Sequence, residues 1–186
     1  MATILITGPA RSGKSEWAEH LAHQSKQAVV YVATSQVDPG DAEWQARLDK
    51  HRARRPSHWR VCEVPIELVQ VLQSATPDQC LLIDSLGTWL ANLIDLNEAA
   101  WQQQQIELIG AINAAVCNVI VVGEETGWGV VPAYPIGRTF RDRLGELVRQ
   151  VGAIATSVYL VTGGYVLDLK QLGVAIPARL SCFQKD

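Results

Sequence analysis

The sequence lacks the features of a membrane-inserted or secreted protein. No uninterrupted apolar run in its 186 residues reaches the about 18 that a transmembrane helix needs. The start, MATILITGPA, has neither the positive charge nor the long apolar stretch of a signal peptide. The four cysteines are far apart and form no C-x-x-C pair, so buried free thiols are expected at Cys62, Cys80, Cys117 and Cys182. We therefore expect a cytoplasmic protein without stable membrane insertion.

A strong net charge is also missing. The formal net charge of −3 gives no general reason to expect nucleic acid or an anionic membrane as a partner. The charge is unevenly spread, however: from Arg47 to Arg60 six Lys and Arg residues stand against the single Asp49. This segment carries a local charge of +5, which leaves −8 for the rest of the chain. The imbalance predicts an anion-binding site in the basic segment.

Internal repeats, low-complexity tracts and linkers rich in Pro, Gly or Ser are absent from the sequence. A chain of this length, 48% hydrophobic, can bury a core without disulfides or a structural metal. We expect a single domain over residues 1–170. A C-terminal tail, 171–186, is expected to be packed on the surface or disordered.

Short continuous apolar runs alternate with helical patterns along the chain. Such runs are typical of strands covered on both faces in a parallel sheet, and they are predicted at 3–7, 28–34, 80–84, 118–123 and 157–162. Helices are predicted at 15–24, 42–54, 66–73, 85–94, 98–115 and 136–154. The pair of glycines at 163–164, followed by YVLDLK, predicts a hairpin to an antiparallel edge strand. The fold class is therefore α/β: a P-loop NTPase-type three-layer sandwich with a mostly parallel sheet and one antiparallel edge strand.

The stretch GPARSGKS fits the phosphate-binding pattern G-x-x-x-x-G-K-[ST], between a predicted strand and a predicted helix. Gly8 and Gly13 allow backbone N–H groups to turn toward phosphate oxygens, and Lys14 reaches the β and γ phosphates. Ser15 offers its hydroxyl to Mg²⁺, while Arg11 and Ser12 add donors at the rim. The pattern predicts nucleotide binding.

Asp84 ends the apolar run CLLID and is the best-placed carboxylate to hold Mg²⁺ beside this loop. The alternative is a structural role, in which Asp84 caps the helix that begins near Ser85.

The basic segment RLDKHRARRPSHW contains His51 between arginines. On a helix, Arg47, His51 and Arg54 would share one face, with a neutral imidazole placed to attack phosphorus and guanidinium groups neutralising the phosphoryl oxygens. The spacing alone favours a plainer alternative, in which His51 only hydrogen-bonds a phosphate or the stretch is a solvated helix face.

Six linked motifs cover most of the chain from about residue 3 to 170: GPARSGKS, VYVATSQ, RLDKHRARRPSHW, CLLIDSLGTWLANLI, GEETGWGVVP and GRTFRDRLGELVRQV. In this order they resemble the bifunctional adenosylcobinamide kinase / adenosylcobinamide-phosphate guanylyltransferase family of cobalamin synthesis. The resemblance implies phosphorylation of adenosylcobinamide by ATP or GTP. GMP transfer from GTP through a guanylylated histidine would follow and give adenosylcobinamide-GDP. It also implies Mg²⁺ with the nucleotide substrates and a homotrimer.

The resemblance also implies the site residues. His51 would carry GMP, and Ser15 and Asp84 would hold the metal. The nucleotide-binding residues would be Gly8, Pro9, Ala10, Arg11, Ser12, Gly13, Lys14, Ser15, Ala33, Thr34, Ser35, Arg52, Ala53, Arg54, Arg55, Glu63 and Asp84. Arg138, Arg141, Asp142 and Arg143 are typical of the family, with packing and substrate contact both open as roles. The loop GWGVVPAYP is our candidate for a wall facing the corrinoid, because ligands of open α/β sheets bind at the carboxyl edge.

The chain departs from the family pattern at three places. Some members have two adjacent histidines where this chain has Lys50 and His51, and a protonated Lys50 is a poor substitute nucleophile. An Asn-Glu pair of the family is here Glu124-Glu125, and Val148 stands where the family has Asn. The last two changes bear on the corrinoid side of the site.

Two other functions remain as alternatives. A simple P-loop small-molecule kinase would use the loop and Asp84 with His51 only as a phosphate ligand. A non-enzymatic nucleotide-dependent regulatory protein would bind nucleotide tightly and turn it over very slowly.

Overall fold

A seven-stranded sheet organises the computed structural model, which describes residues 1–36, 40, 45–46 and 55–176. The strands lie in the order β3-β2-β4-β5-β1-β6-β7, and every neighbouring pair is parallel except β6 with β7. In chain order the strands are β1 Thr3–Gly8, β2 Ala28–Ala33, β3 Arg60–Glu63, β4 Gln79–Asp84, β5 Asn118–Glu124, β6 Ser157–Thr162 and β7 Tyr165–Asp168.

Six helices lie between or after the strands within the described part of the chain. They are α1 Lys14–Gln24, α2 Leu68–Ser74, α3 Leu86–Asn92, α4 Glu98–Ala114, α5 Pro135–Ile154 and the short α6 Leu169–Leu172. None of the described helices is both long and apolar enough to span a bilayer.

The core lies on both faces of the sheet because successive strand residues point to opposite sides. On β1, Leu5 belongs to the cluster that packs against α2, α3, α4 and α5, while Ile6 belongs to the cluster under α1. Trp89 and Trp101 are at most 1% exposed and pack against each other in the larger cluster. Helices on both faces of a parallel sheet confirm the predicted three-layer α/β sandwich.

The strand register brings the carboxyl ends of four parallel strands to one edge. Gly8, the last residue of β1, is opposite Glu124 of β5, and Ala33, the last residue of β2, is opposite Asp84 of β4. Ligands of open α/β sheets bind at this edge. The chemistry predicted from the sequence is therefore concentrated there.

Most predicted elements are confirmed within one or two residues. The hairpin after Thr162 is present, with Gly163 and Gly164 both at positive φ. The parallel edge strand β3 was not predicted, because Arg60, Val61 and Glu63 are exposed and such a short strand has no continuous apolar run. The predicted helix at 42–54 lies largely outside the described residues.

The predicted domain boundary at 170 falls inside α6. Residues 171–176 are exposed, and residues 177–186, with Cys182, lie outside the described part of the chain. The expectation of a surface tail stays a prediction.

Candidate active site

The phosphate-binding loop joins β1 to α1, as predicted. Gly8 ends β1 with φ 153°, and a Cβ at this position would lie 2.2 Å from the backbone oxygen of Val161. Only glycine fits so close to the neighbouring strand β6. Gly8 therefore lets the chain leave the sheet and enter the loop without forcing β1 and β6 apart.

Lys14 begins α1 and is 8% exposed. Its Nζ donates a hydrogen bond to the carbonyl oxygen of Pro9 across 2.8 Å, so the ammonium is held over the loop. The Oγ of Ser12 is buried and has no hydrogen-bond partner among the described residues. A phosphate oxygen in the loop would provide acceptors for both groups. Ser15 is half-buried, and Ala10 and Arg11 are exposed at the rim.

Asp84 lies at the carboxyl end of β4 and accepts a hydrogen bond on Oδ2 from the Tyr31 hydroxyl, at 2.6 Å. Burial of the phenol, reinforced by the neighbouring Asp84 charge, raises the pKa of Tyr31 above its ordinary value of 10.0. Tyr31 therefore stays protonated and keeps donating to the carboxylate. The alternative role for Asp84, capping the next helix, is wrong: Ser85 is the N-cap of α3 and forms a capping box with Thr88.

Arg55, which belongs to the basic segment, lies against Tyr31 next to Asp84. Its guanidinium carbon lies 3.4 Å from the centroid of the Tyr31 ring, which is a cation–π contact. The Arg55 charge acts to lower the pKa of Tyr31, although burial outweighs it. Arg55, Tyr31 and Asp84 thus form one chain of contacts at the carboxyl edge.

Thr34 ties the ends of β2 and β4 together. It is fully buried, and its Oγ1 donates to the Ser85 carbonyl at 2.7 Å and accepts from the Ser85 N–H at 2.8 Å. The Asn92 side chain donates to the carbonyls of Thr34 and Pro65, which fixes α3 against the same edge. Thr34 therefore serves this network, while Ala33 and Ser35 are half-buried beside it.

Glu63 ends β3 at the outer edge of the sheet, opposite Ala33 of β2. Its side chain is exposed. In the sheet, β2, β4 and β5 lie between β3 and β1, the strand that leads into the phosphate-binding loop.

Glu124 is the carboxylate at the end of β5, between β4 and β1 in the sheet. One carboxylate oxygen accepts a hydrogen bond from the Ser85 hydroxyl, and Oε2 accepts one from the Gly87 N–H at 2.9 Å. Burial raises the pKa of Glu124, the Asp84 charge adds to the rise, and Lys14 opposes it. Glu124 therefore lies among the loop lysine, Asp84 and the start of α3.

Next to Glu124, Glu125 keeps the glutamate of the family's Asn-Glu pair, and Val148 is the other departure that lies within the described residues. Glu125 accepts a hydrogen bond from the Thr7 hydroxyl at 2.6 Å, and its N–H donates to the Gly8 carbonyl. Val148 is 7% exposed and lies against Gly123, where a Cβ would meet its Cγ2 at 2.8 Å. Val148 is thus a core residue under β5.

The glycine- and proline-rich loop leaves the carboxyl end of β5 and ends at α5. Trp128, Val130 and Tyr134 are 59%, 93% and 77% exposed, so the loop presents apolar side chains to solvent. Arg138 donates to the carbonyls of Pro132 and Ala133 and secures the end of the loop.

Arg143 has a packing role. It is 9% exposed, donates to the carbonyls of Ile94 and Leu96, and stacks 5.3 Å from the Trp101 ring. Arg141 pairs with Asp142 at 3.5 Å on the surface of α5. Arg143 therefore joins α5 to the turn before α4.

Several predicted site residues cannot be placed. His51, Arg52, Ala53 and Arg54 lie outside the described residues, as does Lys50. Of the other histidines, His20, His23 and His58 are exposed, and the His20 ring stacks on Trp17.

The donors that could hold a metal are oxygen atoms. Ser15 supplies a hydroxyl and Asp84 a half-buried carboxylate, and both suit a hard cation such as Mg²⁺. In the described part of the chain, no three His, Cys, Asp or Glu side chains converge to hold an ion. Mg²⁺ held by one or two protein oxygens normally takes its remaining ligands from nucleotide phosphates and water.

The sequence did not assign Tyr31 or Ser85 to the site, and it connected Glu124 only with the corrinoid side and not with Asp84 or the phosphate-binding loop. Nothing in the sequence separates Tyr31 from a core residue, because an aromatic residue inside an apolar strand is normally buried for packing alone. Glu124 follows a predicted buried strand in the same way as Asp84, and that parallel position is a signal that could have found it.

The strand–loop–helix at GPARSGKS, with a carboxylate at the end of a nearby parallel strand, defines a P-loop nucleotide-binding protein. Residues 4–169 match the family described as cobinamide kinase / cobinamide phosphate guanyltransferase. The chain therefore belongs to this family, which confirms the resemblance seen in the sequence.

Named relatives agree with this assignment. The chain is 40% identical to the bifunctional adenosylcobalamin biosynthesis protein CobP of Pseudomonas aeruginosa, over 89% of this chain and 96% of the relative. It is 36% identical to the bifunctional adenosylcobalamin biosynthesis protein CobU of Escherichia coli K12, over 90% of this chain and 99% of the relative. A solved structure from Pyrococcus horikoshii OT3 shares the fold, with a TM-score of 0.55 at 10% identity over 90% of this chain and 85% of that one.

Proposed function

We propose that this protein carries out two consecutive reactions on a corrinoid. It phosphorylates the aminopropanol hydroxyl of adenosylcobinamide with ATP or GTP, and then transfers GMP from GTP to the new phosphate. The products of the second reaction are adenosylcobinamide-GDP and pyrophosphate. The observation that carries this proposal is the family match over residues 4–169, whose description contains both activities.

The phosphate-binding loop supports the nucleotide part of the proposal. Backbone N–H groups of residues 8–15 would surround the phosphates, and Lys14 would exchange its hydrogen bond to Pro9 for a phosphate oxygen. Mg²⁺ supplies charge neutralisation between phosphate oxygens when bound, and Ser15 and Asp84 are the residues that would hold it. Positioning and electrostatic stabilisation account for most of the catalysis in phosphoryl transfer.

The second reaction requires a nucleophile, which we assign to His51. A neutral imidazole nitrogen attacks the α-phosphorus of GTP, a P–N bond forms, and the bond to the pyrophosphate oxygen breaks. A phosphate oxygen of the corrinoid then attacks the same phosphorus and releases His51. His51 lies four positions before Arg55 in the sequence, a span of at most about 14 Å of extended chain. The contact of Arg55 with Tyr31 beside Asp84 supports a position of the basic segment near the phosphates.

The remaining assignments belong to the same proposal. Arg52, Ala53, Arg54, Arg55 and Glu63 are proposed to lie against GTP. The exposed loop with Trp128 and Tyr134 is proposed as a wall of the corrinoid site, because it presents apolar surface at the edge where ligands bind.

We also propose a homotrimer that works in the cytoplasm, where nucleoside triphosphates and Mg²⁺ are available. Among the described residues, edge strand β7 pairs only with β6, and Tyr165 and Leu167 on it are 76% and 40% exposed. Light scattering coupled to size exclusion tests the trimer, and a mass of one chain would contradict it.

A product assay tests the two reactions separately. In a first step adenosylcobinamide is incubated with Mg²⁺ and γ-labelled ATP. In a second step the phosphate product, prepared with unlabelled ATP, is incubated with Mg²⁺ and α-labelled GTP. Label in the corrinoid after both steps is the expected result. Label after the first step alone would leave the simple kinase, and label after neither, with tight GTP binding, would favour a regulatory protein.

A further inference from the structure

Glu124 uses both of its carboxylate oxygens on one short turn. The oxygens accept from the Ser85 hydroxyl and from the Gly87 N–H, which lie one and three residues after Asp84. The chain has a carboxylate here where the resemblance leads us to expect an amide. Neither the predicted catalytic steps nor the predicted nucleotide contacts use it.

We propose that Glu124 is a positioning residue of the phosphate site: it holds the turn of residues 85–87 and thereby fixes the Asp84 carboxylate beside the phosphate-binding loop. This inference rests on the proposed function, because the role of Asp84 in holding Mg²⁺ belongs to that function.

Close packing shows that the contact is built into the fold. A Cβ on Gly87 would lie 2.3 Å from Oε2 of Glu124, so any larger residue at 87 would displace the carboxylate. The same turn is held from β2 by Thr34, whose Oγ1 bonds both the N–H and the carbonyl of Ser85. Asp84 itself is held by Tyr31. The backbone that carries Asp84 is therefore fixed from β5 on one side and β2 on the other.

A direct electrostatic effect is the rival explanation. The Glu124 charge is close enough to Asp84 and Lys14 to interact with both, and a negative charge near a cation site would attract the ion without positioning anything. The two explanations differ once the Ser85 hydroxyl is removed. Positioning through Ser85 is then already lost, whereas a direct charge effect remains.

The experiment measures GTP binding by calorimetry with EDTA and with excess Mg²⁺. The metal enhancement is the dissociation constant of GTP measured with EDTA divided by that measured with excess Mg²⁺. Glu124→Gln should lower it on the order of tenfold, because an amide cannot accept at both ends and residues that orient metal ligands have effects of this size. Ser85→Ala should lower it in the same direction. The double variant should lose clearly less than the two single losses combined, since the two changes share the contact between Ser85 and Glu124.

Glu107→Gln is the matched control. Glu107 is an exposed carboxylate on α4 that accepts from Gln103 at 2.7 Å, and its removal should leave the metal enhancement unchanged. Glu124→Asp is a second variant that keeps the charge and shortens the reach. It should lose the enhancement as Glu124→Gln does, and circular dichroism checks that each variant is folded.

Three results would overturn the inference. In the first, Glu124→Gln has the same metal enhancement as the unmodified protein. In the second, Glu124→Asp retains the enhancement in full. In the third, Glu124→Gln lowers the enhancement by the same factor in the Ser85→Ala background as it does in the unmodified protein. An unmodified protein that binds no GTP would overturn the proposed function and this inference together. Normal GTP binding with unaffected variants would overturn this inference alone.

Discussion

The Tyr31 hydroxyl donates a hydrogen bond to Oδ2 of Asp84 across 2.6 Å, and so connects the middle of β2 to the carboxylate at the end of β4. Tyr31 is 1% exposed, which fixes the position of its hydroxyl. This contact commits Oδ2 of the Asp84 carboxylate to the protein and restricts where the carboxylate can lie.

Removal of this hydroxyl should weaken the site without breaking the core. Tyr31→Phe keeps the ring under Arg55 and should cost about 1 kcal/mol of unfolding free energy, the usual net value of a hydrogen bond. The concentration of Mg²⁺ for half-maximal phosphoryl transfer should rise severalfold, because Asp84 is less restricted. Urea denaturation and a Mg²⁺ titration of activity measure the two effects. Tyr165→Phe, at a 76% exposed position, should change neither, and an unchanged Mg²⁺ requirement in Tyr31→Phe would contradict the prediction.

Gly8→Ala should be strongly destabilising. The new methyl group would overlap the Val161 backbone oxygen, and the positive φ is unfavourable for alanine, so we expect a loss of about 3 kcal/mol in urea denaturation. Gly110→Ala is the control: it lies inside α4 with open space around its Cβ and should stabilise the protein by about 0.5–1 kcal/mol. Equal stability of the two variants would contradict the close packing of β1 and β6.

The fold could be predicted largely because the strands of a doubly covered sheet are apolar throughout. The run from Cys80 to Asp84 shows this. Four consecutive apolar residues predict the buried strand, and the aspartate that follows them predicts its polar end. Edge strand β3 could not be found in this way, because pairing with β2 stabilises it while its side chains are mostly exposed.

The site was predictable only in part. GPARSGKS has a fixed local geometry, so the sequence alone predicts the phosphate-binding loop between β1 and α1. Contacts between distant residues, such as that of Tyr31 with Asp84 or Glu124 with Ser85, depend on strand order, which the sequence does not state. The register of β4 between β2 and β5 creates both contacts.

Stability should depend on pH through Glu124. Its pKa in the folded protein is raised by burial above the ordinary 4.5, so its stabilising contribution is complete below 4.5 and is lost as the pH rises through the higher folded value. The amide in Glu124→Gln does not ionise in this pH range, so this variant lacks the pH-dependent contribution. The unfolding free energy of the unmodified protein, relative to that of Glu124→Gln, should therefore fall from acidic to neutral pH. Urea denaturation across this range measures the difference, and a relative rise toward neutral pH would contradict the burial of the carboxylate.

The buried thiols should resist alkylation in the folded state. Burial raises the pKa of Cys80 to about 11 and also raises the pKa of Cys117, so neither forms much thiolate at neutral pH. Iodoacetamide followed by peptide mass mapping should leave both unmodified until guanidinium chloride unfolds the chain. Half-buried Cys62 serves as the reference for reagent activity. Modification of Cys80 at the rate of the unfolded chain would contradict its placement under α1.

The most direct test of the proposed function is to trap the covalent intermediate. The protein and its His51→Ala variant are incubated with Mg²⁺ and GTP labelled at the α-phosphate or, separately, at the γ-phosphate, and then challenged with acid and base. We expect label on the protein from the α-position only, stable to base, released by acid and absent from His51→Ala. A protein that binds GTP but retains no α-label, or a His51→Ala variant that retains it, would contradict the account.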